Sequence, residues 1–201
     1  AKNYSTIETK EVYASRGIDV ADFRPIKCGD RIVLDDLEIT AYDAGHMLGS
    51  SQYKIQTPET SILYTGDINC KEALTTREAE SVPCDILIIE TTYGRPFYVF
   101  PERDDVYLEI IEWVLTQIRN GITPVFQVYS AGKAQEIVKL LNIFTEVPVV
   151  THPTITEVNH VYMRHGASMD FIDLEEKSGR ELIKKHECAY IVPTALSSPI
   201  N

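Results

Sequence analysis

Two short segments carry side chains able to hold a metal ion. The first is Asp43-Ala44-Gly45-His46-Met47-Leu48-Gly49-Ser50-Ser51-Gln52 and the second is Thr65-Gly66-Asp67. Each places an imidazole or a carboxylate just past a run of strand-forming residues, beside a glycine that lets the chain turn sharply. A strand end fixes the backbone and leaves the side chain open to a shared centre, and histidine nitrogen and carboxylate oxygen are donors that zinc accepts. A lone histidine is more often a structural hydrogen-bonder, and Asp67 by itself reads as an Asx turn or a cap for a helix starting at Ile68. The ordered pair with its flanking glycines tilts both residues towards metal ligation.

Glu90 closes the apolar run Asp85-Ile86-Leu87-Ile88-Ile89 and so ends an expected buried strand. An ionised carboxylate there needs a partner to offset its desolvation. A salt bridge to Arg95 or Lys133 is one reading; orienting a ligating histidine, or assisting proton transfer to a leaving group, is the other. Tyr129-Ser130-Ala131-Gly132-Lys133-Ala134-Gln135-Glu136 follows a strand and opens a helix. Gln127 and Ala134 stand where a P-loop needs a glycine and a Ser or Thr, so nucleotide hydrolysis of that kind is excluded. What remains is a helix start with free N–H groups, a dipole and a lysine, suited to a backbone phosphate, against the plainer reading of a solvated lysine. His152 precedes Pro153 at a strand end, while His160, His165 and His186 share no ligand spacing. No Gly-x-Ser-x-Gly occurs, so Ser50 and Ser51 have no assigned base.

These residues need strands and helices to place them. Arg31 to Leu34 and Leu37 to Tyr42 flank Asp35-Asp36, and Tyr53 to Gln56 and Ser61 to Tyr64 flank Thr57-Pro58-Glu59-Thr60, which predicts two successive hairpins in an antiparallel or mixed sheet. A short helix is expected over Lys71 to Ser81. After Pro101 the rhythm changes. Asp104 to Asn120 carries Val106, Ile110, Trp113, Val114 and Ile118 at helical spacing and stops at Gly121. Strands fit Val125 to Tyr129, Val147 to Val150 and Ala189 to Val192, and helices fit Lys133 to Leu141, Thr154 to Arg164 and Ser178 to His186. That alternation predicts a parallel, doubly wound sheet, with a domain boundary near residues 95 to 101.

With 201 residues, 44% hydrophobic, the chain can bury one sizeable core or two modest ones. A net charge of −11 and a pI of about 4.9 argue against broad adhesion to polyanions. They do not argue against an enzyme that reaches phosphates through metal ions, because such ions reverse the local field. No apolar run approaches the roughly 20 residues that span a bilayer, and no signal-peptide layout opens the chain, so a soluble cytoplasmic protein without a membrane partner is expected. Cys28, Cys70, Cys84 and Cys188 are widely spaced singles, read as buried free thiols.

Taken in order, Asp-Ala-Gly-His46-Met-Leu-Gly-Ser-Ser, Tyr-Thr-Gly-Asp67, Leu-Ile-Ile-Glu90-Thr-Thr-Tyr-Gly-Arg-Pro and Gly132-Lys133-Ala134-Gln135-Glu136 resemble the β-CASP branch of the metallo-β-lactamase superfamily. Its members are nucleases of RNA or DNA. The resemblance implies an α/β fold: part of a metallo-β-lactamase αββα sandwich over residues 1–95, then a β-CASP module with a mainly parallel sheet flanked by helices over 96–201. It makes His46 a zinc ligand, Asp67 the catalytic aspartate bridging two zinc ions, and Glu90 a catalytic acidic residue close to the metal centre. It makes Ser130, Gly132, Lys133 and Arg95 contacts for a nucleic-acid partner that the β-CASP module clamps over the site. A homodimer is left open.

The family's His-x-His-x-Asp-His cluster is absent and is expected upstream of Ala1, and two later β-CASP histidines are expected beyond Asn201. The chain therefore reads as a fragment, holding two of the expected ligands. Tight zinc binding and nuclease activity are not expected of these 201 residues alone. The alternative is a non-catalytic β-CASP subunit that binds nucleic acid or partners in a processing complex. Details around Glu90 to Pro101 and Val128 to Lys133 resemble the DNA-exonuclease relatives that accompany ligases slightly more than the RNA-processing branch.

Overall fold

Residues 3–194 are described by the structure, a computed structural model. The first strand, β1 (Asn3–Thr6), runs directly into helix α1 (Ile7–Ser15), because the Thr6 hydroxyl accepts the Thr9 N–H at 3.1 Å and so caps the helix. A return strand, β2 (Phe23–Ile26), then pairs with β1 in parallel. The sequence reading missed all three. Each is short, and α1 buries only Val12, so no clear apolar period marks it.

The next five strands form one sheet in the order β3-β4-β5-β6-β7: β3 (Arg31–Leu34), β4 (Leu37–Asp43), β5 (Ser51–Gln56), β6 (Ser61–Tyr64) and β7 (Ile86–Ile88). The two hairpins form as expected, and the β3–β4 turn is tight enough to hold Asp35 at a left-handed φ of 55°. β6 and β7 pair in parallel, which requires a long crossover between them.

Residues 65–85 make that crossover without a helix, correcting the helix expected over Lys71 to Ser81. Its backbone is used elsewhere. Ala79 N–H donates to Asn69 O at 2.8 Å, Glu80 N–H donates to Asp43 O at 3.1 Å, and the Thr76 hydroxyl donates to Gly45 O at 3.0 Å. These tertiary bonds take donors that a helix would have turned inward, so local propensity loses. A second correction concerns β7. Among the described residues it is an edge strand pairing only with β6, and Ile86, Leu87 and Ile88 are about half exposed at 48%, 52% and 49%, not buried.

From Val99 a second unit begins; the chain divides by backbone contacts into Ala1–Tyr98 and Val99–Asn201. It contains α2 (Arg103–Arg119), β8 (Val125–Val128), α3 (Lys133–Phe144), β9 (Val149–Thr151), α4 (Pro153–Arg164), β10 (Ile172–Asp173), α5 (Lys177–Lys185) and β11 (Ala189–Pro193). Every strand pair in the sheet β10-β9-β11-β8 is parallel, as the β/α alternation predicts. Val150, Cys188, Tyr190 and Val192 form its core, against which Ile172, Leu174, Leu182 and Ile183 pack. β10, two residues long, was not foreseen.

Burial sorts the cysteines differently from expectation. Cys188 is buried, where burial pushes its thiol up to about 11, but Cys28 and Cys70 are exposed. Among the described residues no helix is long and apolar enough to cross a membrane.

Candidate functional site

His46 sits in the loop between β4 and β5, and almost every polar group of that loop is tied down. The Asp43 carboxylate accepts Gly45 N–H at 2.8 Å, and the Ser50 hydroxyl oxygen accepts the N–H groups of His46 and Met47 at 3.0 and 3.1 Å. Ser50 is therefore a structural brace. Asn69 donates to Gly45 O, and Gln52, fully buried in β5, donates through Nε2 to Asp43 O at 2.9 Å and Glu80 O at 2.6 Å. From the other side, Thr6 and Thr9 at the start of α1 donate their hydroxyls to Gly49 O at 2.8 and 2.9 Å. A loop held at so many points presents the imidazole in one place.

Asp67 follows β6. Thr65 N–H continues the β6–β7 ladder to Ile88 O at 3.1 Å, Gly66 turns with φ 57°, and Ile68 N–H donates to Glu90 Oε1 at 3.2 Å. Asp67 is thus gripped on both sides. No helix starts at Ile68, so the cap reading of Asp67 falls away. Its Oδ2 lies 3.9 Å from His46 Nε2, and both side chains are open to solvent, 73% and 43% exposed. Both residues line a cavity of about 330 Å³ shared with Tyr4, Tyr13, Phe23 and Tyr53.

Glu90 completes the cluster. Its carboxylate accepts N–H bonds from Ile68 and, through Oε2, from Thr92 at 3.3 Å. Hydrogen bonds from Thr92's side chain first and Ile68's backbone next, with the charge of His46 contributing, hold it below the usual carboxylate range despite its burial. It takes these bonds in place of the ion pair to Arg95. The structure therefore brings His46, Asp67 and Glu90 together where β4, β6 and β7 end on one side of their sheet, with His46 3.9 Å from Asp67 and Glu90 on the N–H of the residue after Asp67.

Known proteins match this chain over about two thirds of its length. No family model matches. An RNase J-like protein of Methanocaldococcus jannaschii is 32% identical over 144 residues, which are 68% of this chain and 34% of that protein. A probable DNA ligase of Opitutus terrae is 34% identical over 132 residues, 65% of this chain and 13% of the ligase. Further relatives named as RNases and endoribonucleases also match. The chain belongs to the β-CASP branch of the metallo-β-lactamase superfamily. It spans about a third or less of the length of the two relatives described. An Enterococcus faecalis protein of unknown function shares the fold, with a TM-score of 0.65 at 14% identity over all of this chain and 53% of that one.

The segment Tyr129 to Glu136 lies in the second unit, and its setting changes one expectation. The N–H groups at the start of α3 are not free. Gly132 N–H donates to Gln135 Oε1 at 2.7 Å, Lys133 N–H to Ala131 O at 3.2 Å and Ala134 N–H to Tyr129 O at 3.2 Å. Gln135 also donates to Ser130 O and to Asn159 Oδ1, fixing the turn from within. The backbone cradle for a phosphate is thus occupied by the protein's own carbonyls and amide, and Lys133, which is exposed, is the group left facing solvent.

Beneath that β-CASP turn lies a cluster that sequence reading missed. Glu136, only 6% exposed, accepts the Tyr107 hydroxyl and approaches Arg103 at 3.9 Å. Burial and that bond push the Tyr107 phenol up to about 12. The signal was present in the pattern: a charged residue one turn into a helix, directly before the apolar pair Ile137-Val138. His152 caps α4, its ring accepting Thr154 N–H, and His160 packs edge-on against Phe171 with ring centroids 5.4 Å apart. Both belong to the second unit. Arg95 belongs to the first unit, exposed, its guanidinium 5.9 Å from the centre of the Phe97 ring.

Proposed function

We propose that the protein carrying this chain is a metal-dependent nuclease that hydrolyses phosphodiester bonds of DNA or RNA, with zinc as its metal. The observation that carries the reading is the His46–Asp67 pair, two solvent-open donors 3.9 Å apart on a fixed loop and a fixed turn. Zinc–ligand bonds of about 2.0–2.2 Å at tetrahedral angles set two donors on one ion about 3.4 Å apart, a separation this solvent-open pair reaches by closing about 0.5 Å. It is half of a site. Among the described residues no group of three or more His, Cys, Asp or Glu is placed to hold an ion.

Metal bound there supplies an activated water and neutralises charge on the phosphate. The chain's own contribution is to hold the donors. Asp43 and Ser50 set the His46 loop, and Thr65 and Glu90 fix the backbone on either side of Asp67. Glu90 is a positioning residue, its carboxylate bridging the Ile68 and Thr92 N–H groups and so holding the turn that carries Asp67. Support for nucleic acid as substrate comes from relatives named for RNA cleavage and one named as a DNA ligase.

The test uses matched single-stranded RNA and DNA. The longer protein that supplies the remaining ligands is expected to degrade at least one of them, to stop on addition of a chelator, and to lose activity by orders of magnitude in His46→Ala and Asp67→Ala. The 201-residue chain alone is expected to cleave neither. Chelator-sensitive cleavage by this chain, abolished in His46→Ala, would show that the other ligands have been misplaced. Inertness of the longer protein towards both strands would favour a non-catalytic subunit.

A further inference from the structure

The segment after Glu90 gathers aromatic rings on the surface and does not bury them. Tyr93, Phe97 and Tyr98 are 62%, 67% and 44% exposed. Their rings still touch. Tyr93 and Tyr98 meet edge-on with centroids 5.3 Å apart, Phe97 and Tyr98 lie at 4.6 Å, and the Arg95 guanidinium stands 5.9 Å from the Phe97 ring centre. Two tight turns hold the segment, with Gly94 N–H donating to Thr91 O and Tyr98 N–H to Arg95 O, both at 3.0 Å. Its start is pinned to the candidate site, since Thr92 N–H donates to Glu90 Oε2.

An exposed apolar patch of this kind calls for an occupant. Three rings beside a guanidinium on a chain of net charge −11 offer flat faces and one cation where most of the surface repels an anion. That combination suits unpaired bases with a phosphate between them, because every base has a face to stack while a duplex hides those faces. An apolar peptide would need no guanidinium over a ring, and an anionic membrane would need a basic patch.

We infer that Tyr93, Arg95, Phe97 and Tyr98 form a base-stacking platform that holds single-stranded nucleic acid next to the His46–Asp67–Glu90 cluster. The inference rests on the nuclease reading for its substrate class and can fail separately from it, because stacking needs no metal. The platform gives the site a preference for unpaired strand and a register, delivering the phosphate that follows the stacked bases.

Fluorescence anisotropy in chelator, at about 0.15 M salt, measures binding of the 201-residue chain to a single-stranded oligonucleotide, to the same strand with central abasic residues, and to its duplex. Stacking on one ring typically carries a five- to hundredfold effect. Phe97→Leu and Tyr98→Leu are therefore each expected to weaken single-strand binding at least about fivefold, with circular dichroism unchanged because both rings are exposed. Abasic residues are expected to weaken the parent chain similarly and the Phe97→Leu chain less. Arg95→Gln is expected to reduce the salt slope by about one. Equal affinity for basic and abasic strands, tighter binding of duplex, or preference for an apolar peptide or an anionic vesicle would each overturn the platform. Loss of cleavage in the longer protein with stacking intact would count against the nuclease reading alone.

Discussion

Gly45 shows how little freedom the loop that carries His46 has. Its φ is 66°, and a Cβ there would lie 2.5 Å from both Ala79 N and Asn69 O and 2.8 Å from Arg77 O, all backbone atoms that cannot rotate away. Gly45→Ala is expected to cost about 1–3 kcal/mol by denaturant unfolding and to shift the His46 ring resonances, since relief requires moving the loop or the crossover. Glu90 and Asp85 make the residue-scale case for pH. Hydrogen bonds, from Thr92 and Ile68 for Glu90 and from Ser61 for Asp85, hold both carboxyls below their usual range. A depressed carboxyl stabilises the fold at pH above its ordinary value near 4 and loses that contribution as pH falls through the folded value. The melting temperature is therefore expected to drop below about pH 4, less steeply in Glu90→Gln. The placement of His46, Asp67 and Glu90 just past strand ends was legible in the sequence because glycines and apolar runs mark those ends. Thr6, Thr9, Gln52 and Asn69 were not, since hydroxyls and amides that brace a distant loop leave no local pattern.

Helices α2 and α3 are joined by a buried polar contact, Tyr107 to Glu136 with Arg103 nearby. Removing the phenol leaves a carboxylate that is 6% exposed with one donor fewer, so Tyr107→Phe is expected to destabilise the chain by about 1–3 kcal/mol in chemical denaturation. The pH dependence runs opposite to that of Glu90. A phenol pushed up to about 12 contributes stability that is complete below its ordinary value near 10 and is lost as pH rises towards 12; the Phe variant should lose less between those values. Element boundaries in this unit were legible because period 3.6 and continuous apolar strands alternate, and α4 and β11 fall within a residue of expectation. The crossover between β6 and β7 was misjudged because helix propensity at Lys71 to Ser81 competes with side-chain caps that only the folded loop provides. β7 was misjudged for a different reason: apolarity predicts a strand but not whether anything covers it.

At the scale of the molecule, two units with separate sheets meet in sequence at Tyr98 and Val99, and every residue from Thr91 to Glu102 is exposed. Neither the sheets nor the helices on either side offer a protease as long a run of exposed irregular chain rich in rings. Chymotrypsin under native conditions is therefore expected to cut first after Tyr93, Phe97 or Tyr98, the Phe100 bond being closed to it by Pro101, leaving two fragments of similar mass that mass spectrometry can place. The same cut reports on the platform. A strand stacked on Phe97 and Tyr98 occludes the bonds that follow them, so single-stranded oligonucleotide should slow cleavage there, abasic strand should slow it less, and duplex should leave it unchanged. First cuts inside either sheet would show that the division between the units is not where the chain is weakest. Protection by duplex equal to that by single strand would mean that charge, not stacking, draws nucleic acid to this segment.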